Sequence, residues 1–547
     1  MLEQDHDRFI GAPSEAAPFL RIPPFPGAKV RQFDPVIARE DRVEDVLATI
    51  AQQRVGGSFW GPQPAVPTGA AIVRSAKGLK AASNLAGGAV VSWADRDAPS
   101  VQADMIIGND SDPWHVLEGA GILVCEPADS IALIAAIKGI SIQVVGSDGK
   151  LRRDGRTVAK LVEQFLPAHV GYVCPFTGKP LSVIEAIELC GFWRRLIDSN
   201  RDIAGGYGFA FWKRDAIAPL LWNGSAPFGF LSAASEAGAD RSVAIWRARA
   251  SGSLIAELEA AGTPLVEVED GFLRSRGLGA DCVPPMSIVV DRLGPYFDPG
   301  RPSELETLLQ EGSFNEQQIM RARALRRAVV DAGLGKYEAG GEPVPRFAAD
   351  RRHILVPGQV EDDRSVLTGG AGLKSNLELL SRARSSVPDA YLIYKPHPDV
   401  VAGHRKGALR DSAVLNYADR IVIDLPIAAL IDMVDEVHVN TSQTGFEALL
   451  RSKPVTTHGV PFYAGWGLTT DLGPVPERRT AHRSIDELVA AALLLYPRYL
   501  DPVTGLPCPA EIVVHRLTEG DENRIEMLVA LRRFQGRLMK GFRSLVR

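Results

Sequence analysis

One segment of the chain occurs twice, at a constant spacing of 327 residues. Eight positions repeat without a gap: Leu161/Leu488, Val162/Val489, Leu166/Leu493, Tyr172/Tyr499, Pro175/Pro502, Thr177/Thr504, Gly178/Gly505 and Pro180/Pro507. A pattern of this length at a fixed offset predicts a duplicated structural unit. Residues before 328 have no counterpart 327 positions earlier, so we expect a half module in the amino-terminal part and a complete second copy.

Apolar runs of strand length alternate with helical patterns from about residue 44 onward. This alternation is typical of an α/β fold with parallel sheets. We predict five segments: a Pro-rich arm (1–43), a partial and degenerate module (44–200), one Rossmann-like subdomain (205–345), a second Rossmann-like subdomain that binds a nucleotide (350–515), and a basic amphipathic helix (516–547).

Charge and hydropathy argue against a nucleic-acid-binding, an exported or a membrane-spanning protein. The 61 basic and 66 acidic side chains give a net charge of -5, which lacks the basic excess that a nucleic-acid partner requires. The first residues are polar and acidic, unlike a signal peptide, and the apolar runs are shorter than the roughly 20 residues of a spanning helix. We therefore expect a cytoplasmic protein.

The last residues, 529–547, contain six basic side chains and no acidic one, interleaved with leucine and phenylalanine. Two interpretations stay open. Such a helix rests on the anionic lipids of an inner membrane, or it packs on the fold with a solvated basic face. The protein is accordingly expected to be cytoplasmic or peripheral on the membrane.

The first candidate for chemistry is a short apolar strand that ends in Glu269, Asp270 and Gly271. Ligands of open α/β sheets bind at such carboxyl ends. Successive strand residues point to opposite faces, so we expect one carboxylate in the cleft and the other bracing the turn. Asp270 is our choice for the reacting group, with Arg274 nearby to hold an anion. The alternative is an ordinary charged turn.

The second candidate is the sequence from Lys395 to Asp399, in which two prolines flank His397 at the end of a strand. Prolines fix the backbone on either side of the imidazole. A fixed histidine suits a phosphate leaving group, to which it donates a hydrogen bond or a proton, while Lys395 supplies positive charge.

The third candidate is a strand at 434–440 that leads into a helix start carrying Ser442, Thr444 and Glu447. Hydroxyls and unpaired amides at a helix start bind phosphate, and an acidic residue further along accepts hydrogen bonds from ribose. Simple N-capping by Ser442 or Thr444 is the alternative.

Two glycine-containing loops complete the candidate site. The loop at 356–360 carries Gly358 and Gln359, and the loop at 459–467 carries three glycines and three aromatic residues, with the first glycine before Phe462 and the other two on either side of Trp466. They predict either close approach to a nucleotide with a ring stacked on its base, or packed structural turns. No convincing metal-binding cluster is visible, so we expect metal-independent chemistry and no cofactor.

The motifs resemble those of the capsular polysaccharide β-Kdo transferases over residues 240–515. The matching segments are Glu269-Asp270-Gly271-Phe272-Leu273-Arg274-Ser275, Lys395-Pro396-His397-Pro398-Asp399, Thr444-Gly445-Phe446-Glu447-Ala448-Leu449-Leu450-Arg451 and Pro461-Phe462-Tyr463-Ala464-Gly465-Trp466-Gly467. The acid-acid-glycine and His-Pro motifs also look like those of bacterial sialyltransferases. Both families take a CMP-linked keto-acid sugar.

The resemblance implies a GT-B fold, a CMP-Kdo donor and a phospholipid-linked saccharide acceptor, where Kdo is 3-deoxy-manno-octulosonic acid. It further implies that Asp270 is the catalytic carboxylate, that His397 contacts the CMP phosphate, and that Ser442, Thr444 and Glu447 line the nucleotide site. The resemblance also implies that the configuration of the donor sugar is retained, so Asp270 is expected to act either as a nucleophile on the anomeric carbon or as a base toward the acceptor.

The chain departs from this family in its amino-terminal part. Counting back by 327, residues 395–399 fall on residues 68–72, which contain neither histidine nor lysine. We therefore expect one active module, which transfers Kdo to a lipid-linked acceptor alongside other capsule assembly proteins. The alternatives are a non-catalytic scaffold of the capsule machinery, which binds polysaccharide or lipid, and a transferase with a different donor.

Overall fold

The computed structural model describes residues 19–29, 41–82, 88–93, 103–167, 171–233, 236, 238, 241–273, 283–335, 344–348, 350–403 and 405–518. These residues form two compact units. The first contains the described residues up to Ile203, with Leu221–Phe228 and Val503–Leu506. The second contains Ala204–Leu220, the described residues of Gly229–Pro502, and those from Pro507 onward. Arg274, most of the Pro-rich arm and the basic segment 529–547 lie outside the described residues.

The first unit is an α/β unit with one six-stranded sheet and a separate two-stranded sheet. Its elements are α1 (Val43–Gln53), β1 (Ala70–Val73), α2 (Ala76–Ala82), β2 (Val90–Trp93), β3 (Met105–Ile107), α3 (Pro113–Val116), β4 (Ala120–Cys125), α4 (Ile131–Ile137), β5 (Ser141–Val145), β6 (Leu151–Arg153), α5 (Val158–Phe165), β7 (Tyr172–Val173), β8 (Pro180–Leu181) and α6 (Val183–Asp198). The six strands are ordered β3-β2-β1-β4-β5-β6.

The second unit begins with a six-stranded mixed sheet. Its elements are β9 (Ile203–Tyr207), α7 (Phe211–Leu221), β10 (Ser242–Ile245), a 3-10 turn (Arg247–Arg249), α8 (Gly252–Ala260), β11 (Leu265–Asp270), β12 (Ser287–Asp291), α9 (Glu304–Glu311) and α10 (Glu316–Asp331). Strand β11 runs parallel to β10 and antiparallel to β12.

The second unit continues with a fully parallel sheet in the order β15-β14-β13-β16-β17-β18. Its elements are β13 (His353–Pro357), α11 (Arg364–Gly369), α12 (Asn376–Ser386), β14 (Tyr391–Lys395), α13 (Pro398–Val401), α14 (Asp411–Val414), β15 (Arg420–Ile421), α15 (Ile427–Met433), β16 (Glu436–Val439), α16 (Gln443–Leu450), β17 (Val455–Thr457) and β18 (Thr470–Asp471). Strand β13 is buried along its whole length, as expected of a central parallel strand covered on both faces.

The chain then returns to the mixed sheet of the second unit. The returning elements are α17 (Ile485–Val489), a π-helical segment (Ala490–Leu495), β19 (Pro497–Leu500), β20 (Pro507–Cys508) and α18 (Ala510–Thr518). Strand β19 pairs antiparallel with β12, so the mixed sheet is completed by the end of the chain. The fold class is therefore α/β with a pair of Rossmann-like subdomains, which confirms the prediction.

The repeat seen in the sequence has a structural counterpart. Helices α5 and α17 begin 327 residues apart, at Val158 and Ile485, and strands β8 and β20 both begin at the last proline of the repeated motif. The six-stranded sheet of the first unit also has the strand order of the parallel sheet in the second unit. Both helices start behind a hydroxyl N-cap, Thr157 or Ser484, which accepts from a backbone amide.

The constant offset does not extend to the strands ahead of the repeat, and our placement of residues 68–72 opposite 395–399 was wrong. By sheet order, β2 is the counterpart of β14. The counterpart of 395–399 therefore begins at the end of β2 near Trp93, because the loops between these strands differ in length. Residues 94–98, outside the described part, also contain neither histidine nor lysine.

None of the helices in the described part of the chain is both long and apolar enough to cross a bilayer.

Candidate active site

A cavity of about 980 Å³ lies in the second unit, where the carboxyl ends of strands from both sheets meet. All described residues that the sequence predicted for the site line it: Glu269, Asp270, Gly358, Gln359, Lys395, His397, Ser442, Thr444 and Glu447. The parallel sheet presents Gln359, His397 and Ser442 at the carboxyl ends of its strands, and β11 of the mixed sheet ends at the same cavity with Glu269 and Asp270. The acidic turn and the histidine thus share one cavity.

Both carboxylates of the acidic turn line this cavity, which corrects our expectation that only one would. Each has a basic partner from a different helix. Asp270 Oδ1 accepts from Lys213 Nζ on α7 at 2.9 Å, and Glu269 Oε1 accepts from Arg364 Nη1 on α11 at 3.0 Å. The two residues are the last of β11, so side chains on opposite faces both reach the space beyond the strand end.

The glycine after these carboxylates is required by close packing. A Cβ atom at Gly271 would lie 2.3 Å from Ser287 Oγ on the neighbouring strand β12. Ser287 is fixed there, because its hydroxyl donates to the carbonyl of Leu273 at 2.5 Å. Gly271 therefore lets the chain turn tightly against β12, directly after the two carboxylates at the carboxyl end of β11.

Burial raises the pKa of Glu269 to about 7, with the neighbouring Asp270 charge acting in the same direction and Arg364 opposing it. The side chain is 15% exposed. Near neutral pH, Glu269 is thus partly protonated in the fold and is suited to accept or donate a proton.

The ordinary pKa of a glutamate side chain is 4.5, and that of Glu269 in the folded protein is about 7. Between these two pH values the folded state binds the Glu269 proton more tightly than the unfolded state does. We therefore expect the Glu269 contribution to the free energy of unfolding to fall as the pH rises from 4.5 to about 7. The full effect is on the order of 3 kcal/mol. In Glu269→Gln the side chain stays neutral, so the melting temperature of the variant minus that of the wild type should rise between pH 5 and pH 8. A difference in melting temperature that stays constant with pH would contradict this. The control is Glu257→Gln, at an exposed site on α8, for which the difference should not change with pH.

His397 is held by the backbone that follows it. It is the N-cap of α13, with Pro398 as the first helical residue, and its Nδ1 accepts from the amide of Asp399 at 3.1 Å. Because an amide N–H is always a donor, Nδ1 carries no proton and the neutral ring is protonated at Nε2. The ring therefore offers one N–H donor at a fixed position.

Lys395 lines the cavity, but its ammonium is directed at the backbone. Nζ donates to the carbonyl oxygens of Ile423 and Leu425, at 3.0 and 2.6 Å. These bonds tie the segment after β15 to the end of β14. In the structure, Lys395 thus fixes a wall of the cavity as well as lending it positive charge.

Gln359 links the ends of two neighbouring strands. Its side-chain amide donates to Thr441 Oγ1 at 3.0 Å, and its carbonyl oxygen Oε1 accepts from the amide of Thr441 at 2.9 Å. Its backbone exchanges two further bonds of 2.8 Å with the side chain of Asn376. Strands β13 and β16 flank the point where the strand order reverses, so this clamp forms the floor of the site.

Ser442 caps α16, which was the alternative interpretation of this motif. Its Oγ accepts from the amide of Thr444 at 3.2 Å and donates to Thr444 Oγ1 at 3.1 Å. Both residues also line the cavity, as does the buried Glu447 one turn further. The helix start therefore faces the cavity with its hydroxyls and its positive dipole end.

The loop at 459–467 is mainly a packed structural turn. Tyr463 and Trp466 are fully buried, so neither ring can stack on a base. The Tyr463 hydroxyl donates to the carbonyl of Ser442 at 2.5 Å, and the indole N–H of Trp466 donates to the carbonyl of Phe462. Of the aromatic residues in this loop, only Phe462 lines the cavity. Through this hydrogen bond to Ser442, Tyr463 stabilises the start of α16.

The sequence reasoning missed the basic partners of the carboxylates and the aromatic wall beside them. Lys213 Nζ lies 3.4 Å from the centroid of the Trp246 ring, and Arg364 lies over the ring of Phe297. The signals were weak: Lys213 follows Phe211 and Trp212 at the start of α7, and Arg364 follows two aspartates. Within the described part of the chain, no group of three or more His, Cys, Asp or Glu side chains is arranged to hold a metal ion.

The amino-acid sequence is similar to those of known proteins. The family model described as "Capsule polysaccharide biosynthesis protein" matches residues 241–333 and 314–499. The capsule polysaccharide modification protein LipA of Neisseria meningitidis serogroup A is 37% identical over 365 residues, which cover 66% of this chain and 52% of LipA. The lipopolysaccharide-processing protein LpsZ of Rhizobium meliloti is 49% identical over 253 residues, 46% of this chain and 57% of LpsZ.

A solved structure is also similar to this chain. It is that of the Thermosulfurimonas dismutans KpsC β-Kdo 2,4 transferase, which is 32% identical, with a TM-score of 0.50, and covers 58% of this chain and 98% of that one. The chain spans about half the length of the Neisseria and Rhizobium relatives. On these matches, the chain belongs to the capsule polysaccharide biosynthesis protein family.

Proposed function

We propose that the second unit is a glycosyltransferase that transfers Kdo from CMP-Kdo to a lipid-linked saccharide in the biosynthesis of capsular polysaccharide. The observation that carries this is the single cavity in which Asp270 of one Rossmann-like subdomain and His397 of the other both take part. The similarity to a β-Kdo 2,4 transferase supports the choice of sugar.

In the proposed complex, the nucleotide lies on the parallel sheet. The phosphate of CMP accepts hydrogen bonds from the start of α16 and from the N–H of His397, while Glu447 accepts from ribose hydroxyls. His397 stabilises the negative charge that grows on the phosphate oxygen as the sugar leaves. The hydrogen bond from the Asp399 amide to His397 Nδ1 supports this role, because it orients the ring in the absence of the donor.

Asp270 is proposed as the nucleophile. One carboxylate oxygen forms a bond to the anomeric carbon as the bond from that carbon to the phosphate oxygen breaks, and the electron pair leaves with CMP. The acceptor hydroxyl then attacks the same carbon, the carboxylate leaves with its electron pair, and the hydroxyl proton passes to ionised Glu269. Two successive inversions retain the configuration of the donor.

We expect His397→Asn and His397→Ala to differ in stability but not in their defect in catalysis. Asparagine can cap α13 and alanine cannot, so only the alanine variant should lose about 1 kcal/mol of folding stability. Both lack the imidazole N–H and should release CMP at least 100-fold more slowly. Thermal unfolding and a CMP-release assay measure the two effects. Wild-type turnover in His397→Asn would rule out the role in the leaving step.

The proposed reaction uses no metal ion or separate cofactor, since His397 and α16 supply the phosphate site. Incubation with EDTA is expected to leave the initial rate of CMP release unchanged. A loss that added Mg²⁺ restores would contradict this part of the proposal.

The function itself is tested by incubating the full chain with CMP-Kdo and a synthetic Kdo-terminated or lipid-linked acceptor. We expect release of CMP together with a product heavier by one Kdo residue, detected by mass spectrometry. Binding of polysaccharide without CMP release would indicate the non-catalytic scaffold instead. Stabilisation of the protein by UDP and not by CMP in a thermal-shift assay would indicate another donor.

A further inference from the structure

Lys213 is enclosed beside the proposed nucleophile. Its Nζ lies 2.9 Å from Asp270 Oδ1 and 3.4 Å from the centroid of the Trp246 ring, and the Trp212 ring centroid is 5.2 Å away. The side chain is only 8% exposed. Two electron-rich rings and one carboxylate therefore hold an ammonium group at the cavity wall, where little water screens its charge.

The position of this ammonium relative to a bound sugar follows from the reaction. To attack, an oxygen of Asp270 must approach the anomeric carbon to about 3 to 3.5 Å. A 2-keto acid sugar carries its carboxylate on that same carbon, whereas an aldose carries a hydrogen there. The carboxylate of such a sugar therefore lies one bond from the attacked atom, within reach of a cation that already contacts the nucleophile.

The charge balance of the reaction points to the same residue. When Asp270 forms a bond to the sugar, its carboxylate becomes a neutral ester, and the enclosed Lys213 ammonium loses that anionic partner. The loss of a carboxylate at 2.9 Å destabilises a buried ammonium group. A carboxylate on the sugar replaces the lost anion at the moment it disappears, and an aldose offers no replacement.

We infer that Lys213 selects donors whose anomeric carbon bears a carboxylate, by binding that carboxylate in exchange for Asp270. The inference rests on the proposed function for the identity of the reacting carbon. It assigns discrimination between a keto-acid sugar and an aldose to a residue of α7, on the sheet opposite the nucleotide.

The test compares the affinities of CMP-Kdo and CMP, measured by calorimetry without acceptor in the Asp270→Asn background. No sugar adduct forms there, and the neutral amide replaces the carboxylate as the ester would. We expect Asp270→Asn to bind CMP-Kdo at least 10-fold more tightly than CMP. When Lys213→Met or Lys213→Gln is added, this preference should disappear while the affinity for CMP itself changes less than 2-fold. Lys213→Arg should keep part of the preference. Arg214→Met, at an exposed position next in the chain, is the control and should keep all of it.

Two measurements separate the inference from the proposed function. Folding of each variant is checked by its melting temperature, and Lys213→Gln serves if Lys213→Met does not fold. An unchanged preference for CMP-Kdo in the Lys213 variants overturns the inference, even if the wild type transfers Kdo. Equal affinities of Asp270→Asn for CMP-Kdo and CMP also overturn it. If the preference for CMP-Kdo over CMP depends on Lys213 but the wild type transfers no Kdo, the inference is supported and the transferase assignment is rejected.

Discussion

Asp270→Asn is expected to lower the rate of CMP release at saturating donor and acceptor by about 1000-fold or more, which corresponds to roughly 4 kcal/mol of transition-state stabilisation. Asparagine has almost the same shape and can still fill the end of β11. It has no charge with which to attack carbon, however, and it leaves Lys213 without the carboxylate that it now contacts at 2.9 Å. The loss should therefore appear in the chemical step.

The matched control is Asp389→Asn, the same chemical change at an exposed loop position. It should leave the rate within a factor of 2. Intact-mass spectra of the wild type with CMP-Kdo alone should also contain a fraction heavier by one Kdo, attached at Asp270. Retention of a tenth or more of wild-type turnover in Asp270→Asn would refute the assignment of the nucleophile.

Phe272→Ala is expected to destabilise the second unit by about 3 to 5 kcal/mol. The Phe272 side chain is only 1% exposed. Its ring centroid lies 4.6 Å from that of Phe462 and 4.9 Å from that of Tyr296. It also lies near Phe446 of α16, so the cluster joins the acidic turn of one subdomain to the nucleotide helix of the other. Truncation leaves a cavity between the two halves of the site.

Phe211→Ala is the control for this loss, because Phe211 is 53% exposed and its removal should change stability by no more than about 0.5 kcal/mol. Urea unfolding of both variants, followed by tryptophan fluorescence, measures the difference. Since the chain has two units, the transition of the second unit is assigned by its response to CMP. A loss below about 1 kcal/mol in Phe272→Ala would show that the aromatic cluster does not hold the subdomains together.

The sequence predicted the strand ends well because each motif combined a short apolar run with residues suited to a turn. Asp270, His397 and Ser442 follow three separate strands, and ligands of α/β sheets bind at such carboxyl ends. The meeting of Asp270, on one sheet, with the other two, on a second sheet, followed from the expected pair of subdomains that close over one ligand. The same reasoning predicted the paired Rossmann-like subdomains. These features depend on local patterns that a single sequence contains.

The partners of those residues depend on tertiary packing and were not predictable. Lys213 and Asp270 are 57 residues apart, and Arg364 and Glu269 are 95 apart, with no motif linking them. For the same reason Lys395 was expected to serve only a phosphate, although its ammonium binds two carbonyl oxygens of a distant loop. The burial of Trp466 likewise depends on elements far along the chain.

The reciprocal amide contact between Gln359 and Thr441 has a consequence for ligand recognition. Both hydrogen-bonding atoms of the Gln359 side chain are already engaged, and Asn376 fixes the backbone behind it. A nucleotide that settles on this surface meets a rigid template, so its association requires little loss of protein flexibility. Under the proposed function, selectivity for the base at this surface would then depend on shape, since these side chains are held in place by each other.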